Sequence, residues 1–504
     1  MPEHLRAFAF VVLLSASLWP ALSRVFSPVG GGGLRQLLPA WFWITAFAFL
    51  SHSFWVYALL TGVFVQVRFK TAPSAQLCAL FCVLMFAVPP AGPQVPGFGG
   101  VTYLFELTNT RLLTLLLLVP AISRLGRNAH SGLLKHPGDK TFVALFVLLA
   151  VLQTREQNAT NSIRRIFCLL LDFGIPYYAF SRAARTMEDF RLILGAFCGS
   201  VAFLSVMASF EFLRHWNLYM GLISALGYEW PLSTYLPRDG MLRATASTGQ
   251  AIVMGYVAAV ALGLWLYVSR LVPGGTSKKV VFLALCFGFF ASLSRGPWLG
   301  FLAMFIAHSW LQGKQTAKVL KVAFVAVFLV YAASFTPQGE RLVNLLPFVG
   351  KVDSENATYR QKLFDNSVLV IERNMWFGSE NYMETPEMQE MIQGQGIVDI
   401  VNTYIMVALD NGMVGLTFYL AFLLKALLAV VQQVKRLKDH VDERALGISL
   451  AATLVGILLM IVSVSPISFV PTVLWMVVGL CSAFSVMQIQ PKAPSAARAA
   501  LSKK

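Results

Sequence analysis

The sequence predicts an all-α, polytopic integral membrane protein with about 14 transmembrane helices and one long loop on its outer face. Three observations carry this prediction. The 504 residues are 57% hydrophobic and only 13% charged, with a mean hydropathy of +0.66, whereas soluble domains carry roughly 25% charged residues. Apolar runs recur from end to end, and only a helix of about 20 residues satisfies its own backbone across ~30 Å of hydrocarbon. The breaks between runs are short and basic or contain Gly and Pro, with one exception at 337–398.

Taken in order, the runs place spans near 5–23, 41–66, 74–91, 105–122, 140–154, 166–181, 189–212, 248–269, 280–294, 297–313 and 319–336. Three more follow near 402–433, 445–465 and 468–488. The second is long and the fifth and sixth are short, which predicts a tilted or broken helix there. The resulting organisation is spans 1 to 11 over 1–336, a long periplasmic loop at 337–398, spans 12 to 14 over 399–488 and a cytoplasmic tail at 489–504. Arg6, an apolar stretch and Ser15-Ala16-Ser17 loosely imitate a signal peptide; an uncleaved first helix suits the charge placement better. No 20–50-residue repeat and no pair of matching broken halves is visible.

The net charge of +16 follows mainly from orientation, because Lys and Arg collect on cytoplasmic loops. Arg68 and Lys70, Arg124 to Lys140, Arg182 and Arg185, Arg270 to Lys279, Lys314 to Lys321 and Lys435 to Arg444 mark that side. Both termini are then cytoplasmic, in a bacterial inner membrane. No basic cluster lies in a foldable soluble domain, which argues against nucleic acid. The basic residues of the outer segments are almost all Arg, with Lys351 and Lys362 the exceptions; Arg offers a planar, permanently charged fork suited to phosphate. The six cysteines, Cys78 and Cys82 among them, sit in apolar runs as small hydrophobes rather than metal ligands. The Gly30 to Gly33 run reads as a flexible outer loop, and the Asn158 and Asn356 acceptor patterns as chance matches.

Candidate chemistry gathers in the outer segments. Residues 213–247 carry Arg214, Arg238 and Arg243, the last just before the small-residue run Ala244 to Gly249. Ser294-Arg295-Gly296-Pro297 turns one span straight into the next, and an Arg at membrane depth costs a few kcal/mol unless it meets an anion or water. Each arginine could equally be an ordinary flanking charge that snorkels to the head groups. Arg360 lies in the long loop, where a solvated Arg is the plainer reading. Glu372 to Gly378 leads on to Asp399-Ile400-Val401-Asn402-Thr403-Tyr404, and Gly412-Met413-Val414-Gly415 follows nine residues after Asn402. Polar residues in a helix mouth followed by a Gly-x-x-Gly break predict a kinked, water-accessible helix, although such glycines more often mean close packing.

The Ser-Arg-Gly turn, the Arg of the long loop and the Asn402 to Gly415 pattern together resemble the O-antigen ligase and polymerase superfamily. The likeness covers roughly 240–425. It implies a GT-C-like membrane enzyme that transfers glycans from undecaprenyl pyrophosphate at the periplasmic face, without metal or other cofactor. The implied catalytic residues are Arg243, Arg295 and Arg360, gathered on the departing pyrophosphate, with Asp399 as general base. Asp399 as a plain helix N-cap is an equal alternative, and Glu372 and Glu380 are the next candidates for the base. Ser294, Arg238, Glu372, Asn402, Tyr404, Gly412 and Gly415 are expected to contact substrate. Ligases of the superfamily carry His before the motif Asn; Val401 stands there and cannot move a proton, which favours polymerase over ligase. The expected partners are undecaprenyl-pyrophosphate-linked glycans, membrane lipids, and a chain-length regulator and flippase of the same pathway. A lipid-linked-sugar transporter is the alternative from another class, with Asp172 and Lys425 as its only mid-span charges.

Overall fold

The computed structural model describes residues 1–126, 132–156, 158–227, 240–313, 354–392 and 398–488. The expected span at 319–336, Arg238 and the tail at 489–504 lie outside them. The described chain is mostly helical. Its longer helices are α1 (Glu3–Phe26), α2 (Ala40–Leu50), α3 (Phe54–Phe69), α4 (Ser74–Leu84), α5 (Asn109–Ser123) and α6 (Asp139–Leu152). Next come α7, built from Ala159–Leu169, a π turn Leu170–Gly174 and Ile175–Ala183, then α8 (Met187–Arg214), α9 (Ala251–Leu271), α10 (Thr276–Ala291) and α11 (Arg295–Gln312). The last four are α12 (Ser354–Arg373), α13 (Thr403–Arg436), α14 (Val441–Met460) and α15 (Val470–Ser485). Among the described residues, α1, α8, α9, α13 and α14 are long and apolar enough to cross a membrane. A hairpin of two strands, β1 (Gln94–Pro96) and β2 (Tyr103–Glu106), fills the expected break between the third and fourth spans and takes in the first two residues assigned to the fourth.

Helices α8 and α9 form the centre, with most of their side chains shielded from the surface. Small residues let neighbours approach: Gly195 faces Leu34 and Val29, and Gly288 backs onto Ser205. The cysteines behave as small hydrophobes; Cys78, Cys82, Cys198 and Cys481 are fully buried. Gly30 to Gly33 is no loose loop, because a Cβ at Gly30 would lie 2.9 Å from Leu192, so the turn is pressed against α8. Asp172 is not a lone charge. Its carboxylate takes a two-pronged hydrogen bond from Arg111 (2.7–3.1 Å) beside the π turns of α5 and α7.

The second span takes the broken form of the two that its length allows, and its halves reverse direction. The chain breaks at Ser51-His52-Ser53, where His52 takes a left-handed backbone (φ +48°), and 41–66 becomes two antiparallel helices. This extra reversal moves the N-terminus. The Trp216 indole donates to Glu3 (3.2 Å), Arg6 stacks over the Trp216 ring, and at the other end of α1 Phe26 packs on Gly195. Helix α1 therefore runs antiparallel to α8, and residue 3 sits at the same end of the bundle as residues 215–227 and 240–250. The expectation placed these on opposite sides.

At the other end, basic residues are tied into structure. Arg182 and Asp139 form a buried ion pair, completed by the Tyr177 hydroxyl donating to Asp139 (2.8 Å). Arg124 donates to the Ala72 carbonyl (2.6 Å), Arg185 to that of Leu125 (2.8 Å), and Arg191 pairs with Asp442 (2.6 Å).

Helix α13 is kinked at Gly412 (φ +68°), as the Gly-x-x-Gly pattern predicts. The segment 374–379 fills the break: the Met413 amide donates to the Met375 carbonyl (2.8 Å), Val414 to Trp376 (3.1 Å), and Ser379 to Leu409 (2.9 Å). Arg155 donates to the carbonyls of Phe377, Gly378 and Asp410 (2.9–3.1 Å), which the break leaves outside the helical ladder. The kink also reconciles lengths. At 1.5 Å per residue α13 is about 51 Å long and α14 about 30 Å, yet the Thr403 amide at the start of α13 reaches the Ile461 carbonyl at the end of α14 (2.9 Å). The first turns of α13 thus fold across the end of its neighbour.

Candidate functional site

Three short segments meet at the N-terminal end of the bundle. The first runs from Arg243 to Gln250 into α9. Glu211, fully buried near the end of α8, shapes it: one carboxylate oxygen accepts the amides of Thr245 (3.0 Å) and Ala246 (2.7 Å), and the other that of Leu218 (2.9 Å). Farther along, Ser247 donates to the Phe86 carbonyl (2.6 Å).

The second segment is the turn 292–297 between α10 and α11. Leu293 adopts a left-handed backbone (φ +44°), Ser294 stands at the N-cap position and Arg295 opens α11. The two segments are tied together. Arg243 donates from Nη2 to the Ser294 hydroxyl (3.1 Å), which donates to the Ser292 carbonyl (3.0 Å), and the Ala244 amide donates to the Ala291 carbonyl (3.0 Å). Arg243 and Arg295 are both half-buried, and the serine held by one guanidinium is the chain neighbour of the other. An arginine held to the N-cap residue and a second one opening the helix add positive charge to an end where the first-turn amides and the helix dipole already favour an anion.

The third segment, 461–469, joins α14 to α15 and is the keystone. Gly296 packs directly on Ser463, the Ser465 hydroxyl donates to Asp399 Oδ1 (2.9 Å), and Ser468 donates to the Thr248 carbonyl (3.0 Å). Ser463 and Ser465 are two residues apart, so at most about 7 Å of chain separates the Arg295 turn from the Asp399 contact. From the other direction, Tyr359 on α12 donates to the Asp399 carbonyl (3.1 Å). The exposed Arg360 next to it lies close enough for its charge to act on the Asp399 carboxyl. Burial raises that carboxyl above the usual carboxylate range; the Ser465 hydroxyl and the Arg360 charge pull it back down.

Residues 280–420 match the Wzy_C family model, O-antigen ligase. The chain carries a Wzy_C domain over those residues, consistent with the O-antigen ligase and polymerase superfamily. The matched stretch takes in Arg295, Arg360, Asp399, Asn402 and the kink of α13, and leaves Arg243 and the 461–469 loop outside it. No curated protein matches the chain.

The structure brings together Arg243, Ser294 and Arg295, and joins Asp399 and Arg360 to them through one loop. Several expected substrate contacts are turned to other work. Asn402 is the N-cap of α13, its side-chain oxygen accepting the Tyr404 (2.9 Å) and Ile405 (3.2 Å) amides, so the cap is Asn402 and not Asp399. The Tyr404 hydroxyl donates to the Leu458 carbonyl (2.9 Å). Gly412 presses on the backbone at Trp376, and Gly415 on Asn411. Glu372 is exposed and stands 12 residues along α12 from Arg360, about 18 Å away. Glu380 interacts with Glu156 and Arg165 instead of Asp399. Arg238 lies outside the described residues.

Residues that the sequence reading passed over hold the site in place: Glu211, Ser463, Ser465, Ser468 and Arg155. The cluster Ser463-Val464-Ser465-Pro466-Ile467-Ser468 between two apolar runs was a legible signal, since polar groups there need partners. Glu211, an acid at the end of an apolar helix, was another.

Proposed function

We propose that the protein is a metal-independent glycosyltransferase of the GT-C class, with about 14 spans in a bacterial inner membrane, which polymerises undecaprenyl-pyrophosphate-linked oligosaccharide repeat units on the periplasmic face. The observation that carries the reading is the Arg243–Ser294–Arg295 contact, joined through the 461–469 loop to Asp399 and Arg360. The products are O-antigen, capsule or exopolysaccharide chains.

In this reaction the growing glycan on its diphosphate lipid is the donor. A hydroxyl at the non-reducing end of a second lipid-linked unit attacks the donor's anomeric carbon. The bond from that carbon to the pyrophosphate oxygen breaks, and the electron pair leaves with the diphosphate. Arg243 and Arg295, both half-buried, stabilise the charge that develops there, each worth a few kcal/mol in a preorganised site, and the exposed Arg360 adds a weaker, solvent-screened attraction. Asp399, kept basic by its partial burial, takes the proton of the attacking hydroxyl.

A ligase is the second reading, favoured by the description of the matching family. Val401 opposes it, because no imidazole stands before Asn402. Purified protein given a lipid-pyrophosphate oligosaccharide separates the possibilities. Longer lipid-linked products mean polymerase, transfer to lipid A core or protein means ligase, and translocation without new bonds means flippase. Arg295→Ala should abolish product while the protein stays in the membrane. Undiminished polymer from that variant defeats the diphosphate clamp. Val401→His tests whether the missing imidazole alone separates the two activities.

A further inference from the structure

Arg243 sits on a short irregular stretch, and the direction of its side chain depends on how that stretch is anchored. The anchor is unusual. Ala246 adopts a left-handed backbone (φ +45°), which costs an L-residue with a Cβ about 1 kcal/mol or more. Two other non-glycine residues in that region, Leu293 (φ +44°) and Ser468 (φ +53°), border the same site. Strained conformations persist where surrounding contacts over-determine them. At Ala246 the contact is explicit, because its amide and that of Thr245 both end on one oxygen of Glu211. The other oxygen takes the Leu218 amide. A carboxylate fully buried at the end of an apolar helix is costly unless fully hydrogen-bonded, and all three bonds are spent on backbone, two of them immediately after Arg243 and Ala244.

We propose that Glu211 is a positioning residue: by accepting the Thr245 and Ala246 amides it holds the strained turn that aims Arg243 at the Ser294–Arg295 anion site. The inference rests on the diphosphate-clamp reading above and names what sets its geometry. Glutamine is nearly isosteric, but its amide nitrogen cannot accept a backbone N–H. In Glu211→Gln, either the Leu218 bond or both bonds to the Arg243 segment are lost, and the relaxed turn swings the guanidinium away.

The test measures chain elongation of a lipid-pyrophosphate oligosaccharide by purified full-length protein, with Arg243→Ala, Arg243→Lys, Glu211→Gln, Glu211→Asp and Ala246→Gly. Glu211→Gln is expected to lower kcat about 10- to 100-fold, as a displacement of about 1 Å does to a charge-stabilising group. Ala246→Gly, which removes the cost of the left-handed turn, should recover part of this loss when added to Glu211→Gln. Arg243→Lys should cost far less in the Glu211→Gln background than alone, because the two changes remove the same interaction. Glu211→Asp keeps the charge but falls short by one methylene. It should lie between wild type and Glu211→Gln and carries the same cycle if the glutamine variant does not accumulate. Wild-type kcat in Glu211→Gln, or losses that simply multiply with Arg243→Lys, overturn the positioning role. Full activity in Arg243→Ala overturns the clamp itself, so the two failures are distinguishable.

Discussion

Asp399 shows how a single residue's reading changes with its surroundings. Its place three residues before Asn402 made N-cap and general base equally good readings, because sequence spacing cannot tell which polar side chain turns back onto the helix. The structure gives the cap to Asn402 and leaves the Asp399 carboxylate with Ser465 and the field of Arg360. A pH dependence follows. A general base works ionised, so activity should fall as pH drops through the Asp399 pKa. A hydrogen-bond donor to a carboxylate lowers its pKa, so Ser465→Ala should move that acid limb to higher pH, measured as kcat/KM against pH. An unmoved limb would take the proton-accepting role away from Asp399. The place of Arg295 at a helix start was legible in sequence, because the Gly-Pro pair after it turns one apolar run straight into the next. The Ser463, Ser465 and Ser468 contacts were not, since each joins segments tens to hundreds of residues apart.

At the scale of elements, the kink of α13 was written in the sequence, but what fills it was not. Gly412 and Gly415 announce a helix that can break; nothing local says that 374–379 supplies the missing backbone partners. Two glycines make the insertion fit. Gly412 and Gly378 (φ +69°) both have left-handed backbones, and a Cβ on Gly378 would meet the Leu409 carbonyl at 2.5 Å, while one on Gly412 would strike Trp376. Gly412→Ala should therefore destabilise the protein by roughly 2 kcal/mol or more, seen as a clear drop in thermal midpoint in detergent. Gly313→Ala makes the comparison: φ is +74° but nothing lies within 4 Å of its Cβ, so its cost should be closer to about 1 kcal/mol. Equal effects would mean that the packed insertion adds nothing. The break at Ser51-His52-Ser53 was harder to read, because three small or polar residues inside an apolar run also suit one tilted helix.

Across the whole molecule, the reversal at that break turns the first helix around. Arg24 and Arg35 then join the end that carries Arg124, Arg182, Arg185 and Arg191, which strengthens the charge asymmetry that orients membrane proteins. With the site facing the periplasm, a cysteine placed at residue 4 should react with a membrane-impermeant maleimide added outside intact cells, and one at residue 274 should not. The reverse pattern would put the site in the cytoplasm, and labelling of both residues would contradict the antiparallel packing of α1 on α8.

In the proposed reaction, guanidinium groups from three separate segments serve one diphosphate, Arg243 and Arg295 from the half-buried side of the site. This is tested most directly by measuring the affinity of purified protein in lipid nanodiscs for undecaprenyl pyrophosphate and undecaprenyl monophosphate. The wild type should prefer the diphosphate. Arg243→Ala and Arg295→Ala should each weaken that preference by roughly 10- to 100-fold, as the loss of a charge-assisted bond worth about 1.5–3 kcal/mol implies, and the double variant should weaken it further than either. Unchanged diphosphate affinity in either single variant would contradict the account.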